Sequence, residues 1–275
     1  MAWTTKYCEH WRLKPSAAKT VSSVFHLHNV SASRELNVTL NGQRLKHDLH
    51  PIYLGVTLDR TYREHLEKTA GKLKSRNNLL MKLASSSWGA HANTLRASAL
   101  ALCYSVGEYC APVWARSTHT KLVDVQLNTT MRLITGILRP TPLPWLPVLS
   151  NIVPPSLRRK AAVDQLISKA TKNENWGLHM DITRPPRLRL TSLQPLWMDM
   201  QHVDTHGQWQ ENWQMANVVN NQLVRDPAIQ LPGFDLPRRQ WSMLNQFRTD
   251  QGHCGACHTR QGLSNSELAQ LGECG

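Results

Sequence analysis

The spacing of the apolar residues changes near position 60, and this change restricts the chain to a mixed fold. Between residues 21 and 58 they recur at every second position, as in Leu36, Val38 and Leu40, which is typical of strands with one buried face. From Glu64 onward they recur every three or four positions, which is typical of amphipathic helices. The sequence therefore predicts an α+β fold that is mostly helical, in which a small antiparallel sheet precedes the helices.

Turn residues separate the predicted strands. Asn41-Gly42 can supply the positive φ angles of a tight hairpin turn, directly after the alternating run that ends at Leu40. We expect an earlier strand over residues 24–27 and a later one over residues 52–58, where apolar residues again alternate with others.

Prolines divide the helical part. Four prolines between Pro140 and Pro147 exclude a continued helix, because proline lacks an amide donor and clashes with the preceding turn. Pro154-Pro155 opens a further helix, with Ser156 as its predicted cap. The predicted helices run over residues 64–83, 95–109, 127–138 and 156–171.

These patterns divide the chain into four regions. Residues 1–60 carry the strands, and residues 61–171 carry the helical bundle. Residues 172–249 are interrupted by prolines and are predicted to form an irregular connector, with one helix over residues 208–219. Residues 250–275 form a tail that contains cysteine and histidine.

The chain is strongly basic, with 32 Lys and Arg against 19 Asp and Glu, a net charge of +13 and a pI near 9.8. This charge favours a polyanionic partner, first of all nucleic acid, although a basic protein without such a partner is the alternative. Residues 60–96 concentrate eight Lys or Arg against two Glu. We expect basic side chains of the first long helix to contact phosphate, with a solvated helix face as the alternative. These are Lys68, Lys72, Lys74, Arg76 and Lys82.

No segment of the sequence predicts export or membrane insertion. Residues 1–14 lack the apolar core of a signal peptide, because polar and charged residues interrupt them. The longest largely apolar stretch, Ala97 to Tyr104, is far shorter than the ~20 residues of a membrane span. We therefore expect an intracellular protein, nuclear or cytoplasmic, without membrane contact, whose six cysteines are thiols.

The segment from Trp11 to Thr20 leads directly into the first strand and ends in Lys19-Thr20. It resembles the motif of non-long-terminal-repeat (LINE-type) retrotransposon reverse transcriptases that follows the catalytic aspartates, with Lys14-Pro15 where the family has Asn-Pro. The resemblance implies that Lys19 lies near the phosphates of the incoming nucleotide, where it would neutralise developing charge. A surface lysine in a turn before a strand is the alternative.

A second segment, Tyr53-Leu54-Gly55-Val56, is similar to the Tyr-Leu-Gly-Val signature of the same family. In these enzymes the strand that carries it forms the primer grip, and its glycine permits close approach to the primer end. The resemblance implies that Tyr53, Leu54 and Gly55 contact nucleic acid. An ordinary edge strand is the alternative.

The resemblance extends over nearly the whole chain. It implies a palm remnant in residues 1–60, a helical thumb in residues 61–171, RNA and DNA as partners, and descent from an RNA-directed DNA polymerase of a transposable element. Further segments that are similar to jockey-like elements are 104–109, 111–114, 127–134, 236–241 and 247–252.

The carboxylates that polymerisation requires are missing before the first motif. Nucleotidyl transfer needs paired carboxylates that hold two magnesium ions about 3.5–4 Å apart, and the ten residues before Trp11 contain no aspartate. We therefore expect no polymerase activity from this chain alone, and magnesium only in a full-length enzyme. The leading interpretation is a C-terminal reverse transcriptase fragment that retains primer and template binding. The alternatives are a freestanding nucleic-acid-binding module and a decayed transposable-element product without function.

The tail contains side chains that can ligate zinc. A Cys-x2-Cys pair can hold one zinc ion, and a tetrahedral structural site needs four ligands. Free thiols are the favoured interpretation and a zinc site is the alternative. The candidate ligands are Cys254, Cys257, His258 and Cys274.

The tryptophans and the helical cysteines are assigned to packing. Trp88, Trp114 and Trp145 lie near predicted helix ends with apolar neighbours, where core packing is common. Cys103 and Cys110 lie on one predicted helix face, so we expect both to be buried. The connector tryptophans that are expected to dock on the bundle are Trp176, Trp197, Trp209 and Trp213.

Overall fold

A computed structural model describes residues 2–26, 28–32, 34–85, 88–184 and 204–252. About 53% of it is helical and the strands are short, which confirms a mostly helical α+β fold. Every helix among these residues is too short or too polar to span a bilayer.

The strands are β1 (Val21–Ser22), β2 (Thr39–Leu40), β3 (Gln43–Arg44), β4 (Lys46–His47), β5 (Ile52–Tyr53) and β6 (Val56–Thr57). The helices are α1 (Ala2–His10), α2 (Asn29–Ala32), α3 (Arg63–Leu83), α4 (Ala92–Ala99), α5 (Ser105–Gly107), α6 (Ala111–Trp114), α7 (Lys121–Thr135), α8 (Trp145–Ser150), α9 (Pro155–Lys172), α10 (Gly177–Thr183), α11 (Thr205–Gln214) and α12 (Arg238–Arg248), with a π-helical turn at Leu100–Tyr104 and a 3-10 turn at Asn221–Leu223.

The described strands form three separate pairs, so the prediction of one small antiparallel sheet was wrong. β2 and β3 make the predicted hairpin, with Asn41 and Gly42 at φ angles of 50° and 78°. β1 and β4 instead pair in parallel. The strand predicted over residues 24–27 is not formed at residues 24–26, which line a cleft beside the start of α3, and residue 27 lies outside the described residues.

β5 and β6 are the two arms of a tight hairpin, where the sequence predicted one continuous strand. The chain reverses between them because Leu54 and Gly55 have φ angles of 47° and 80°. Alternation of apolar residues conceals this turn, since a leucine with positive φ is uncommon and gives no turn signal. Helix α1 was also not predicted within the region that was assigned to strands.

α3 and α7 pack along each other at the centre of the fold, together with the helical stretch from α4 through the π-helical turn to α5. Leu73 and Leu127 are buried between them. Asn77 fixes their register, because its amide group donates to the Gln126 carbonyl (3.0 Å) and accepts from Thr130 Oγ1 (2.7 Å). The four predicted helices are confirmed, three of them within about three residues at their ends, whereas α7 begins six residues before the predicted start and ends three residues before the predicted end.

A second apolar cluster joins the connector to the bundle through tryptophans. Trp145 of α8 meets Trp213 of α11 edge to face, with 4.9 Å between ring centroids, and Trp209 is buried beside them. The docking predicted for these two connector residues is confirmed, whereas Trp197 lies outside the described residues. α8 contains Pro147 despite the proline run. Pro147 lies in the first turn of the helix, where a backbone N–H would have no acceptor within the helix, so its missing N–H costs no hydrogen bond.

The other predicted burials have mixed outcomes. Trp114 and Cys103 are buried as predicted. Trp88 is 72% exposed and Trp176 is 44% exposed, so these two predictions were wrong. Cys110 is only half-buried, because the helix ends at α5 and Cys110 has a φ angle of 52° in the turn before α6.

Two arginine–carboxylate pairs hold α9 against the bundle. Arg159 makes a bidentate contact with Asp124 (2.5 and 2.9 Å), and Arg158 makes a similar one with Glu108. Such paired geometry is stronger than a single ionic contact. Ser156 does not cap the helix as predicted, since no side-chain cap is formed at its start.

α12 closes the C-terminal end of α7, whose last carbonyl groups have no donors within their own helix. The guanidinium of Arg238 donates to the carbonyls of Leu133 and Ile134, at 2.6 Å each. Burial lowers its pKa to about 10, and the negative end of the α7 dipole offsets part of this desolvation. The other donors from α12 are Trp241 to Ile134 (3.2 Å), Asn245 to Thr135 (3.0 Å) and Gln246 to Gly136 (3.2 Å).

Replacing Arg238 with alanine should lower the free energy of unfolding by about 2–4 kcal/mol, because buried carbonyls lose their donors and a cavity is left. The exposed neighbour Arg239 provides the control, and Arg239→Ala should change it by less than about 0.5 kcal/mol. Urea denaturation followed by far-UV circular dichroism measures both values. Equal effects of the two substitutions would contradict the capping role.

Candidate nucleic-acid interface

The carboxylate of Asp59 caps the N-terminus of α3. Oδ1 of Asp59 accepts hydrogen bonds from the N–H groups of Thr61 (2.7 Å) and Arg63 (3.2 Å), and Oδ2 accepts from that of Glu64 (2.8 Å). The first amides of a helix have no acceptors within it, so this carboxylate satisfies them. α3 is therefore fixed just after β6. The sequence analysis assigned no role to Asp59, although aspartate side chains commonly accept a hydrogen bond from the backbone N–H two residues on.

α3 does not present its five predicted phosphate ligands on one face. Lys68, Lys72 and Arg76 follow each other at four-residue spacing, and we call them the first basic row. Lys74 lies on the opposite flank, roughly 160° around the axis from Lys72, because each residue turns the helix by about 100°. Lys82 lies in the last turn, between the two flanks. Three of the five residues are thus brought together.

The first basic row lies in a part of the chain that lacks acidic residues. No Asp or Glu occurs between positions 67 and 108. Lys68 lies 3.9 Å from Glu64, but such an exposed pair contributes little. Lys72 and Arg76 have no ion-pair or hydrogen-bond partner within the described residues. Their charge is therefore available to a polyanion.

The tip of the β5–β6 hairpin presents the exposed side chains of Ile52, Tyr53 and Leu54. Tyr109 supports this tip, because its hydroxyl donates to the Leu54 carbonyl at 2.8 Å. A Cβ on Gly55 would lie 3.4 Å from a ring carbon of Tyr109, and the positive φ there also favours glycine. The sequence interpretation placed Tyr109 on a helix face and missed this role, which no local signal indicates.

His65 connects the hairpin to the first basic row. The Thr57 N–H donates to Nδ1 of His65 at 3.3 Å, and the Thr57 hydroxyl accepts from Lys68 Nζ at 3.4 Å. Burial lowers the pKa of His65, Lys72 and Lys68 lower it further, and Asp59 acts in the opposite direction. The imidazole is therefore neutral near pH 7, and Nδ1 can accept the amide hydrogen.

Lys19 is not joined to this surface by any described hydrogen bond or ion pair. It is exposed in the turn over residues 17–19, where its N–H donates to the Ser16 carbonyl at 3.1 Å. The turn lies directly before β1. This placement is that of a surface lysine before a strand, and a role beside a nucleotide stays a prediction.

The four predicted zinc ligands, Cys254, Cys257, His258 and Cys274, lie outside the described residues. Within the part of the chain that the structure describes, no group of three or more His, Cys, Asp or Glu side chains is placed to hold a metal ion. Zinc binding therefore stays a prediction.

Comparisons with known proteins add no family assignment. A scan of protein-family models and searches of curated proteins and solved structures find no match to the chain. The likeness to retrotransposon enzymes therefore depends on the motifs described above.

His65 should make the fold less stable in acid. Its folded pKa lies below the unfolded value, so below about pH 6.5 the unfolded chain binds a proton that the folded chain does not, and the free energy of unfolding falls by at most about 1.4 kcal/mol per pH unit. His65→Gln keeps an acceptor for the Thr57 amide but does not titrate. Its unfolding free energy should therefore fall less between pH 7 and pH 5 than that of the wild type.

Chemical denaturation at several pH values measures these slopes. His50→Gln is the matched control, because the His50 side chain is exposed and the substitution should keep the wild-type slope. If the unfolding free energy of His65→Gln falls as steeply with decreasing pH as that of the wild type, His65 does not cause the acid sensitivity.

Proposed function

We propose that the chain is a C-terminal portion of a non-long-terminal-repeat retrotransposon reverse transcriptase and that it binds primer and template nucleic acid, in the nucleus or cytoplasm. One observation supports this proposal above others. The turn that contains Tyr53, Leu54 and Gly55 and the first basic row are adjacent, and Thr57 contacts both His65 and Lys68. The hairpin, which was singled out by its motif, and the start of the first basic row, which was singled out by its charge, thus meet at Thr57.

The two parts of this surface suit different parts of a nucleic acid. The first basic row can neutralise backbone phosphates, and such contacts are independent of base sequence. The hairpin tip offers the exposed aromatic ring of Tyr53, and Gly55 gives the turn its positive φ angle and its contact with Tyr109. Lys74 and Lys82 extend the basic surface around the helix. The proposed partners are therefore RNA and DNA, held without strong sequence preference.

Binding rather than synthesis is the proposed activity of this chain. Polymerisation needs paired carboxylates for two magnesium ions, and the residues before Trp11 contain no aspartate. Lys19 would assist only where other residues supply those carboxylates. A freestanding nucleic-acid-binding module is the second candidate, because the same surface serves it. The capped and well-packed helices favour either function over a decayed product.

Replacing Lys68, Lys72 and Arg76 together with glutamine should weaken binding to nucleic acid of any sequence. Each phosphate contact that is lost should flatten the dependence of log Kd on log salt concentration by about 0.9. Fluorescence anisotropy of a labelled oligonucleotide over a series of salt concentrations gives both quantities.

A second triple variant controls for net charge. Replacing Lys121, Lys169 and Lys172 with glutamine removes the same charge from exposed positions on α7 and α9. It should leave the salt dependence near that of the wild type. If both variants lose affinity equally, net charge alone governs binding and α3 is not the interface.

The purified chain should not extend a primer on an RNA or DNA template with magnesium or manganese, because the residues before Trp11 contain no aspartate to hold the metal ions. Incorporation of labelled nucleotides, beside an active reverse transcriptase as positive control, provides the measurement. Extension that copurifies with the chain through two different columns would disprove this expectation.

A further inference from the structure

Trp88 is exposed beside the end of α3, where the sequence predicted burial. The chain folds back there, since the N–H of Ala90 donates to the Leu83 carbonyl at 2.8 Å and that of Gly89 to the Ser85 carbonyl at 3.1 Å. A Cβ on Gly89 would lie 2.2 Å from the Ser85 oxygen, so this turn requires glycine. The closed turn keeps Trp88 close to the last turn of α3.

Four buried tryptophans, Trp114, Trp145, Trp213 and Trp241, donate their indole N–H groups, and Trp88 does not. Trp114 donates to the Tyr109 carbonyl at 2.9 Å, and Trp213 donates to the Val224 carbonyl at 2.8 Å. Trp88 has no hydrogen-bond partner within the described residues. An aromatic side chain contributes to folding mainly through its burial, so Trp88 contributes little to the stability of the fold.

The segment of sequence that contains Trp88 carries basic but no acidic residues, and the nearest described carboxylate contact is that of Asp235 with Asn93. Lys82 lies in the last turn of α3, and Lys74 precedes it on an adjoining part of the same helix surface. No acidic residue occurs between positions 67 and 108. Exposed aromatic rings among basic residues are the arrangement that binds single-stranded nucleic acid, in which ammonium groups contact phosphates and a ring stacks on an unpaired base.

We propose that Trp88, together with Lys74 and Lys82, forms a stacking site for single-stranded RNA or DNA. This inference depends on the proposed function and adds a base-contacting group to it. Lys74 lies on the flank of α3 opposite Lys72, so this site would contact a different part of the nucleic acid from the first basic row. Single strands are the ligand because the bases of a duplex are already stacked and paired.

Two labelled oligonucleotides of equal length and charge test the proposal, one of thymidine residues and one of abasic residues. By fluorescence anisotropy, Trp88→Ala should bind the thymidine strand about tenfold more weakly than the wild type does, as expected for the loss of one stacked base. Its affinity for the abasic strand should be unchanged. Trp88→Phe should retain most of the affinity for the thymidine strand.

Trp176→Ala is the matched control, because it removes a tryptophan that is 44% exposed beside α10 and should change neither affinity. Thermal denaturation should show that all three variants fold as the wild type does. An equal loss for both strands in Trp88→Ala would overturn stacking, because the abasic strand has no base to stack.

The remaining outcomes separate this inference from the proposed function. Salt-dependent binding by the wild type that Trp88→Ala retains in full would overturn the stacking site and leave the proposed function intact. Failure of the wild type to bind either strand would overturn both. If Trp88→Ala instead keeps its affinity and converts an oligomer into a monomer, the indole contacts another protein copy and the inference is wrong.

Discussion

The closure of α7 by α12 is the interaction on which the rest of the arrangement depends. α7 ends among buried residues, where its last carbonyl groups need donors from the protein itself. Arg238 and Trp241 supply them from a helix about a hundred positions away in the chain. Gly136 makes the close approach possible, because a Cβ there would lie 1.9 Å from the Ser242 hydroxyl. α12 is therefore part of the core rather than an appendage.

Through α7, this closure also determines which face of α3 is exposed. Asn77 of α3 is hydrogen-bonded to the Gln126 carbonyl and to Thr130 on α7, and Arg159 holds α9 on the same helix through Asp124. With its apolar side committed to α7, α3 can present its basic side chains only outward. The geometry of the candidate interface is thus a consequence of core packing, and loss of the α12 cap would disturb binding by moving α3.

Local sequence patterns predicted the elements but not the contacts between them. The helical spacing over residues 64–83 and the Asn41-Gly42 turn are local signals, and both are confirmed. The left-handed Leu54 and the exposed Trp88 could not be predicted, because neither residue type indicates these states and only tertiary packing decides them. Arg238 caps α7 from about a hundred positions further along the chain, and no periodicity of the sequence relates residues so far apart. By contrast, the separation of Lys74 from the first basic row follows from spacing alone, since residues two apart lie on different sides of a helix.

Net charge overstates the surface that this chain can offer to a polyanion, because several of its arginines are engaged by other groups of the protein. Arg96 and Arg248 donate to backbone carbonyls at 2.9 and 2.7 Å, and Arg159 pairs with Asp124. The planar array of donors in a guanidinium suits such fixed acceptors, whereas an ammonium on a flexible stem keeps its hydration and its reach. Lys72, without a partner among the described residues, is of the second kind. Removal of an arginine from the core would therefore reduce binding by unfolding the protein. Removal of lysines from α3 would instead remove contacts with the nucleic acid. Only a comparison of variants that are equally stable separates the two causes.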